Sequence, residues 1–361
     1  MEIRMVDLAG QYQRIKAEID SAIQKVVDST AFIQGKEVQE FASALSEYLE
    51  GAHVVPCANG TDALQIAMMA LGLKAGDEVI VPVHTYVATA EVIALLGLKP
   101  VFVDVYPDTF NIDVGQVESK ITKRAKAIVP VHLYGQCADM ELLMNIATKY
   151  DLKVIEDAAQ SMGARYNNVA AGTIGHIGTT SFFPTKNLGC FGDGGAILTR
   201  DGVLAEKAKV IANHGQKQKY HHEVVGVNSR LDTIQAAVLS VKLRYLDEYQ
   251  RKRNEAAAYY DQHLAEVVIP ARSKNSTHVF HQYTIKAERR DELKSFLQSK
   301  GIPSIIYYPV PLHHQPPYSQ PLSFPVTERL SQEVLSLPMH TELTEEQLDY
   351  ICKTVISFYR G

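Results

Sequence analysis

The chain has 361 residues, 46% of them apolar, and a formal net charge of -5. That length supports a large core and about two domains, and the acidic balance argues against a nucleic-acid partner. No apolar run approaches the roughly 18 residues of a membrane span, which excludes a membrane-spanning reading.

The start, Met1-Glu-Ile-Arg4, lacks a signal-peptide pattern. Cys57, Cys137, Cys190 and Cys352 are far apart and form no CxxC, so reduced thiols in a cytoplasmic protein are expected. Residues 12–29 carry Ile15, Ile19, Ile23 and Val26 at helical spacing, which predicts an amphipathic helix. Helix and strand patterns then alternate. A helix over 61–72 precedes an apolar strand over 78–83, and a helix over 86–97 precedes a strand over 100–105. A strand over 127–132, a helix over 139–150 and a strand over 153–157 follow. Another strand is predicted at 195–199 and a helix at 202–213. Continuous apolar strands separated by helices imply a mostly parallel sheet covered on both faces, an α/β fold.

A long helical stretch over 231–264 leads to a second, smaller domain. There the pattern predicts a strand over 278–286, a helix over 290–300, a strand over 303–309 and a Pro/His/Gln loop over 309–318. The last helix, 344–359, starts on the capping box Thr344-Glu-Glu-Gln347. The expected division is a large domain over 1–250 and a small C-terminal α/β domain over 251–361.

The chemistry concentrates in Ser181-Phe-Phe-Pro-Thr-Lys186-Asn-Leu-Gly189, which runs on to Gly192-Asp-Gly-Gly195, and in Val154-Ile-Glu-Asp157-Ala-Ala-Gln160. The first segment sets one lysine in an apolar, turn-rich surrounding that lowers an amine's pKa. The second ends a buried strand on a carboxylate, where open α/β sheets bind ligands. An amine able to form a Schiff base and a carboxylate able to hold a pyridinium proton are what pyridoxal 5'-phosphate chemistry requires. Lys186 is the expected base and Asp157 the ring-nitrogen partner, with a cap for residues 158–162 as its alternative. Gln160 can reach the ring hydroxyl. Gly60, Thr61 and Asp62 open a helix whose free N–H groups favour a phosphate, although an ordinary helix cap has the same appearance. Ser181 offers another hydroxyl. Tyr86 can stack on the ring or simply pack. No GxGxxG lies between a strand and a helix, which argues against a dinucleotide site. His221-His222 and His313-His314 are adjacent pairs rather than i, i+4 pairs, so no metal site is expected.

With these residues in place, the chain resembles the DegT/DnrJ-type sugar aminotransferases, fold-type I pyridoxal phosphate enzymes, over nearly its whole length. The matching motifs are Asn59-Gly-Thr-Asp-Ala-Leu, Tyr86-Val-Ala-Thr, Glu156-Asp-Ala-Ala-Gln-Ser161, the Lys186 segment, Gly192-Asp-Gly-Gly195 and Asn228-Ser-Arg-Leu-Asp232. The resemblance implies that Lys186 forms the Schiff base, Asp157 contacts the pyridine nitrogen and Gln160 the ring hydroxyl. It also implies that Asn228 reaches the cofactor phosphate of the other subunit, and hence a homodimer with shared active sites.

Within the family, His214-Gly-Gln216, Tyr220-His-His222 and the segment 226–232 look closest to transaminases of UDP-2-acetamido-2-deoxy-ribo-hex-3-uluronate. Those act in lipopolysaccharide O-antigen sugar synthesis, with L-glutamate as the usual donor. Arg230, Tyr307, Tyr308 and His313 are then the expected substrate contacts. One alternative is a dTDP-3-keto-6-deoxyhexose aminotransferase. A sugar dehydratase on this scaffold carries histidine in place of Lys186. A non-catalytic cofactor-binding regulator is the alternative from another class.

Overall fold

A computed structural model describes residues 2–360. Its centre is a seven-stranded sheet. Across it the strands run His53–Cys57, Gly195–Thr199, Ile177–Ser181, Lys153–Asp157, Ala125–Ile128, Glu78–Pro82 and Lys99–Val103. Gly195–Thr199 pairs antiparallel with both its neighbours, and the other pairings are parallel. Glu78–Pro82 and Gly195–Thr199 are buried along their whole length and Lys153–Asp157 along all but its first residue, which explains why they read as apolar runs.

Helices cover both faces. Gly60–Ala70 packs on one face with Ile155, Ile177 and Ile197. Met140–Tyr150 covers the other, where Met140, Leu143 and Ala147 meet Ile80 and Val154. A separate core gathers residues from Ala256 to Val355, and Ile3 joins it from the opposite end of the chain. Within it Tyr283–Lys286 pairs antiparallel with Val334–Leu337, and helix Glu345–Arg360 packs on Leu246–His263 and Arg290–Ser299. The capping box closes as the sequence predicts: Thr344 Oγ1 accepts from Gln347 N at 3.2 Å, and Gln347 Oε1 accepts from Thr344 N at 3.0 Å.

Several elements differ from the sequence pattern. The helix expected over 12–29 is two helices, Leu8–Arg14 and Lys16–Ser29, broken at Ile15, whose φ of -119° leaves the helical region. The long stretch divides into Thr233–Leu243 and Leu246–His263. Residues 303–309 make no strand; Ile305 alone bridges Ser336. Pro303 and Pro309 carry no N–H to donate to a ladder. Helix Lys36–Tyr48 and strands His53–Cys57, Ile177–Ser181 and Val334–Leu337 have no counterpart in the sequence reading. The strand at Ile177 consists of Ile-Gly-Thr-Thr-Ser; its burial comes from position in the sheet rather than from apolar composition.

Candidate active site

One cleft of about 630 Å³ lies at the carboxyl ends of the parallel strands. Three elements deliver its chemistry. Strand Lys153–Asp157 ends on Asp157. Strand Ile177–Ser181 ends on Ser181 and turns into the segment holding Lys186. Helix Gly60–Ala70 begins at the same rim, with Asn59 as its cap: Asn59 Oδ1 accepts from Asp62 N at 2.8 Å. Two glycines permit this convergence. A Cβ at Gly60 would lie 2.8 Å from Ser181 Cβ, and one at Gly195 would lie 2.5 Å from the Asn59 carbonyl. Any larger residue would push the helix start away from Ser181.

Lys186 turns back on its own loop, its N–H donating to Phe183 O at 2.8 Å. The stem is half-open to the cleft, but dense packing around the amine pushes its pKa down to about 8. Burial is the larger effect, and the Asp157 charge opposes it. Asp157 is buried and fixed at both oxygens. Thr89 Oγ1 donates to Oδ2 at 2.8 Å, and Ala159 N donates to Oδ1 at 3.2 Å. No helix follows Asp157, so the capping alternative reduces to this one backbone contact.

Gln160 is oriented from two sides. Its Oε1 accepts from Tyr134 N at 2.7 Å, and its Nε2 donates to Tyr308 OH at 3.2 Å, which leaves its second N–H free. Tyr307 and Tyr308 form one wall, with Tyr86 6.2 Å from Tyr308 between ring centroids. Tyr86 is 58% exposed, so it is not a core aromatic. Asp62 lines the cleft, but its N–H is already taken by Asn59; Gly60 and Thr61 keep the first-turn donors that have no carbonyl inside the helix.

The structure adds residues that the sequence left without a role. Thr89 lies one turn beyond Tyr86. Thr85, Thr185, Asp193, His281 and Gln282 line the cleft, and Thr89 lies buried behind Asp157. Burial, with the Lys186 and Arg253 charges adding to it, drives the His281 pKa well below its usual value, so the ring is neutral. Thr85 Oγ1, His281 Nδ1 and Gln282 Oε1 are buried without a hydrogen-bond partner, and orphaned polar atoms on a cleft wall mark a surface that awaits a polar ligand.

Three expected residues lie elsewhere. His313 is buried outside the cleft, with Nε2 3.1 Å from Glu328 Oε1; its loop folds back under Phe324 instead of facing Lys186. Asn228 is exposed and bridges Asn213. Arg230 lines a second depression beside the edge strand His53–Cys57, together with Lys217 and Asn213. Ser229 between them ties this segment to the cleft's rim, accepting from Ala58 N at 3.0 Å. All four cysteines are free and buried. Among the described residues, no helix is long and apolar enough to cross a membrane.

The sequence profile of the DegT/DnrJ/EryC1/StrS aminotransferase family matches residues 13–356. The chain belongs to this family. Among DegT/DnrJ/EryC1/StrS relatives, a "Pleiotropic regulatory protein" of Geobacillus stearothermophilus is 49% identical over 100% of this chain and 99% of its own. The UDP-2-acetamido-2-deoxy-3-oxo-D-glucuronate aminotransferase of Pseudomonas aeruginosa is 47% identical over 97% and 98%. Of solved structures, DesV of S. venezuelae, in complex with a ketimine intermediate, has a TM-score of 0.97 and 41% identity, covering 100% of this chain and 99% of that one. NtdA of Bacillus subtilis, with bound cofactor PMP, has a TM-score of 0.90 and 33% identity over 96% and 82%.

Pyridoxal phosphate is the cofactor of this aminotransferase family, and the residues present fit it. The cleft has the volume of a small-molecule site. It holds an amine that is partly free near neutral pH, a fixed buried carboxylate and a helix start with unpaired donors. Lys186 would hold the aldehyde carbon, Asp157 the ring nitrogen, Gln160 the ring hydroxyl, and Gly60, Thr61 and Ser181 the phosphate.

Proposed function

We propose that this chain transfers an amine from L-glutamate to C3 of a UDP-linked 3-keto sugar, with UDP-2-acetamido-2-deoxy-ribo-hex-3-uluronate as the acceptor. The observation that carries the catalytic part is the pairing of a desolvated Lys186 amine with buried Asp157 across one cleft. The full-length likeness to the Pseudomonas aeruginosa enzyme supports the acceptor.

When bound, pyridoxal phosphate supplies an electron sink for the carbon that carries the transferred amine. Lys186 Nζ, with its pKa near 8, takes a proton from that carbon and returns one to the neighbouring centre. Thr89 and Ala159 donate to the two Asp157 oxygens and fix the direction of the carboxylate that would hold the ring nitrogen. Tyr307 and Tyr308 wall the cleft beside Lys186 and narrow water's access to the reacting carbon. His281, driven neutral by burial and by the Lys186 and Arg253 charges, adds no second positive charge beside Lys186.

We also propose that two copies share their sites. Asn228 and Arg230 lie outside the cleft of their own chain, yet Ser229 holds them near its rim. On this reading Asn228 serves the phosphate and Arg230 the sugar carboxylate in the site of a neighbouring copy.

A regulator is the second reading, favoured by the name of the Geobacillus stearothermophilus relative. The visible spectrum separates the two. If the proposal holds, L-glutamate bleaches the holoenzyme's absorbance, and a UDP-linked 3-keto uronate restores it faster than a dTDP-linked 6-deoxy sugar. A spectrum unmoved by any amino acid selects the regulator.

A further inference from the structure

His313 and His314 end the short turn Leu312–His314, and Glu328 lies in helix Pro325–Glu333. One side-chain donor atom from each falls within 4.8 Å of the other two. The two imidazoles are 4.0 Å apart between centroids, and His313 Nε2 is 3.1 Å from Glu328 Oε1. We propose that His313, His314 and Glu328 form a binding site for one divalent transition-metal ion of the kind that takes imidazole and carboxylate together, such as zinc.

The donor set carries suitable charges, a neutral imidazole and a carboxylate. Burial lowers the His313 pKa despite Glu328, so the ring is neutral at pH 7. Its Nε2–H donates to Glu328, while Nδ1 is buried with no hydrogen-bond partner, so no bond at Nδ1 has to break when the proton moves there and Nε2 turns to an ion. Glu328 is ionised, held below the usual carboxylate range mainly by the Phe324 N–H, which donates to Oε1 at 2.9 Å. That same contact fixes the carboxylate's direction, as outer hydrogen bonds do for metal ligands. The Asp104 charge also reaches His313. The Asp104 oxygens are occupied by Val326 N, Thr327 N and Thr327 Oγ1, so it does not complete the set. With zinc–nitrogen and zinc–oxygen bonds of about 2.0–2.2 Å, donors around one ion sit roughly 3.3–3.5 Å apart. The exposed His314 ring supplies the small inward swing. Three protein donors leave one position for water.

Such an ion would staple the loop over 309–318 to helix Pro325–Glu333. That loop follows directly on Tyr307 and Tyr308, which wall the cleft. The proposal needs no assumption about the amine acceptor.

The test uses tag-free holoenzyme stripped on a chelating resin and titrated with zinc chloride by calorimetry, with thermal unfolding read in parallel. One ion per chain and a higher Tm with zinc are expected. His314→Ala, at an exposed position that spares the fold, should bind at least tenfold more weakly, and Glu328→Gln should do the same. Replacing His221 and His222 should change nothing. Equal affinity in wild type and His314→Ala, or loss of binding on removing His221 and His222, overturns the site.

Discussion

Thr89 donates its hydroxyl proton to Asp157 Oδ2 over 2.8 Å, inside the sheet's carboxyl edge, where neither residue is open to bulk water. The bond joins helix Ala88–Leu95 to strand Lys153–Asp157, 68 residues apart. It holds the carboxylate at one angle. Replacing Asp157 by Asn removes the carboxylate charge. The half-reaction with L-glutamate should then slow more than cofactor affinity falls, and Thr89→Val should slow it in the same direction by about tenfold, the scale of one hydrogen bond to a charged group. Stopped-flow rates that do not change in either variant would reduce Asp157 to a structural role.

Lys186→Ala should leave less than about 1% of wild-type turnover, because general-base and covalent contributions are lost together. The cofactor should still bind, since Asp157 and the helix start at Gly60 remain. Steady-state release of 2-oxoglutarate checks the first part and fluorescence of the bound ring the second.

If Asn228 serves the neighbouring copy, Lys186→Ala and Asn228→Ala subunits should complement each other. A mixed dimer has one site with both lesions and one with neither. Activity should therefore reappear when two weak proteins are mixed. Verified subunit exchange without recovery would count against shared sites.

Arg230→Ala should cost roughly 2–5 kcal/mol on a 3-keto uronate, the scale of one broken buried charge contact. A 3-keto-6-deoxy sugar with the same nucleotide offers no carboxylate and should lose far less. Comparing kcat/KM on the two substrates decides the matter: an equal loss on both makes Arg230 a general or structural contact, and moves the acceptor towards 6-deoxy sugars.

Lys242 is 1% exposed in helix Thr233–Leu243, and burial pushes its pKa from 10.5 down to about 8. Its amine lies 5.8 Å from the centre of the Phe191 ring. Below about pH 8 it is charged in both the folded and unfolded states, so the burial cost is present in full. Between about pH 8 and 10.5 the folded state sheds the proton first, and the cost fades as pH rises. Lys242→Met should therefore stabilise the fold at pH 7, by about 1–3 kcal/mol on the scale of replacing buried charge with apolar volume. The gain should shrink toward pH 10. Urea unfolding at several pH values checks this, and the difference between the two proteins cancels the opposing titration of the buried cysteines.

The site was legible where chemistry is local. Lys186, Ser181, Gln160 and Asp157 sit within short segments whose composition announces strand end, turn and amine. Thr89 was less visible. Its motif, Tyr86-Val-Ala-Thr, was in view, but a threonine on a helix is ambiguous until a carboxylate 68 residues away meets it. His281 and Gln282 read as part of a strand, and only the closing of the C-terminal core against the sheet turns them to the cleft. His313 shows the reverse. Its loop follows Tyr308 in sequence, yet Phe324 and Glu328 hold its ring away from Lys186.

By itself the sequence determined the alternating apolar segments, and so a covered parallel sheet, because burial on both faces demands unbroken apolar strands. It also determined the amine and the carboxylate, whose chemistry is written in their side chains. The tertiary structure decided the rest. Strand Ile177–Ser181 exists because the sheet surrounds it, not because Gly-Thr-Thr-Ser prefers extension. Strand Gly195–Thr199 runs against its neighbours because the chain must return from the Lys186 loop. The Lys186 pKa falls to about 8 because distant segments exclude water from its amine. Desolvation depends on every atom packed nearby, and those atoms come from parts of the chain that meet only on folding.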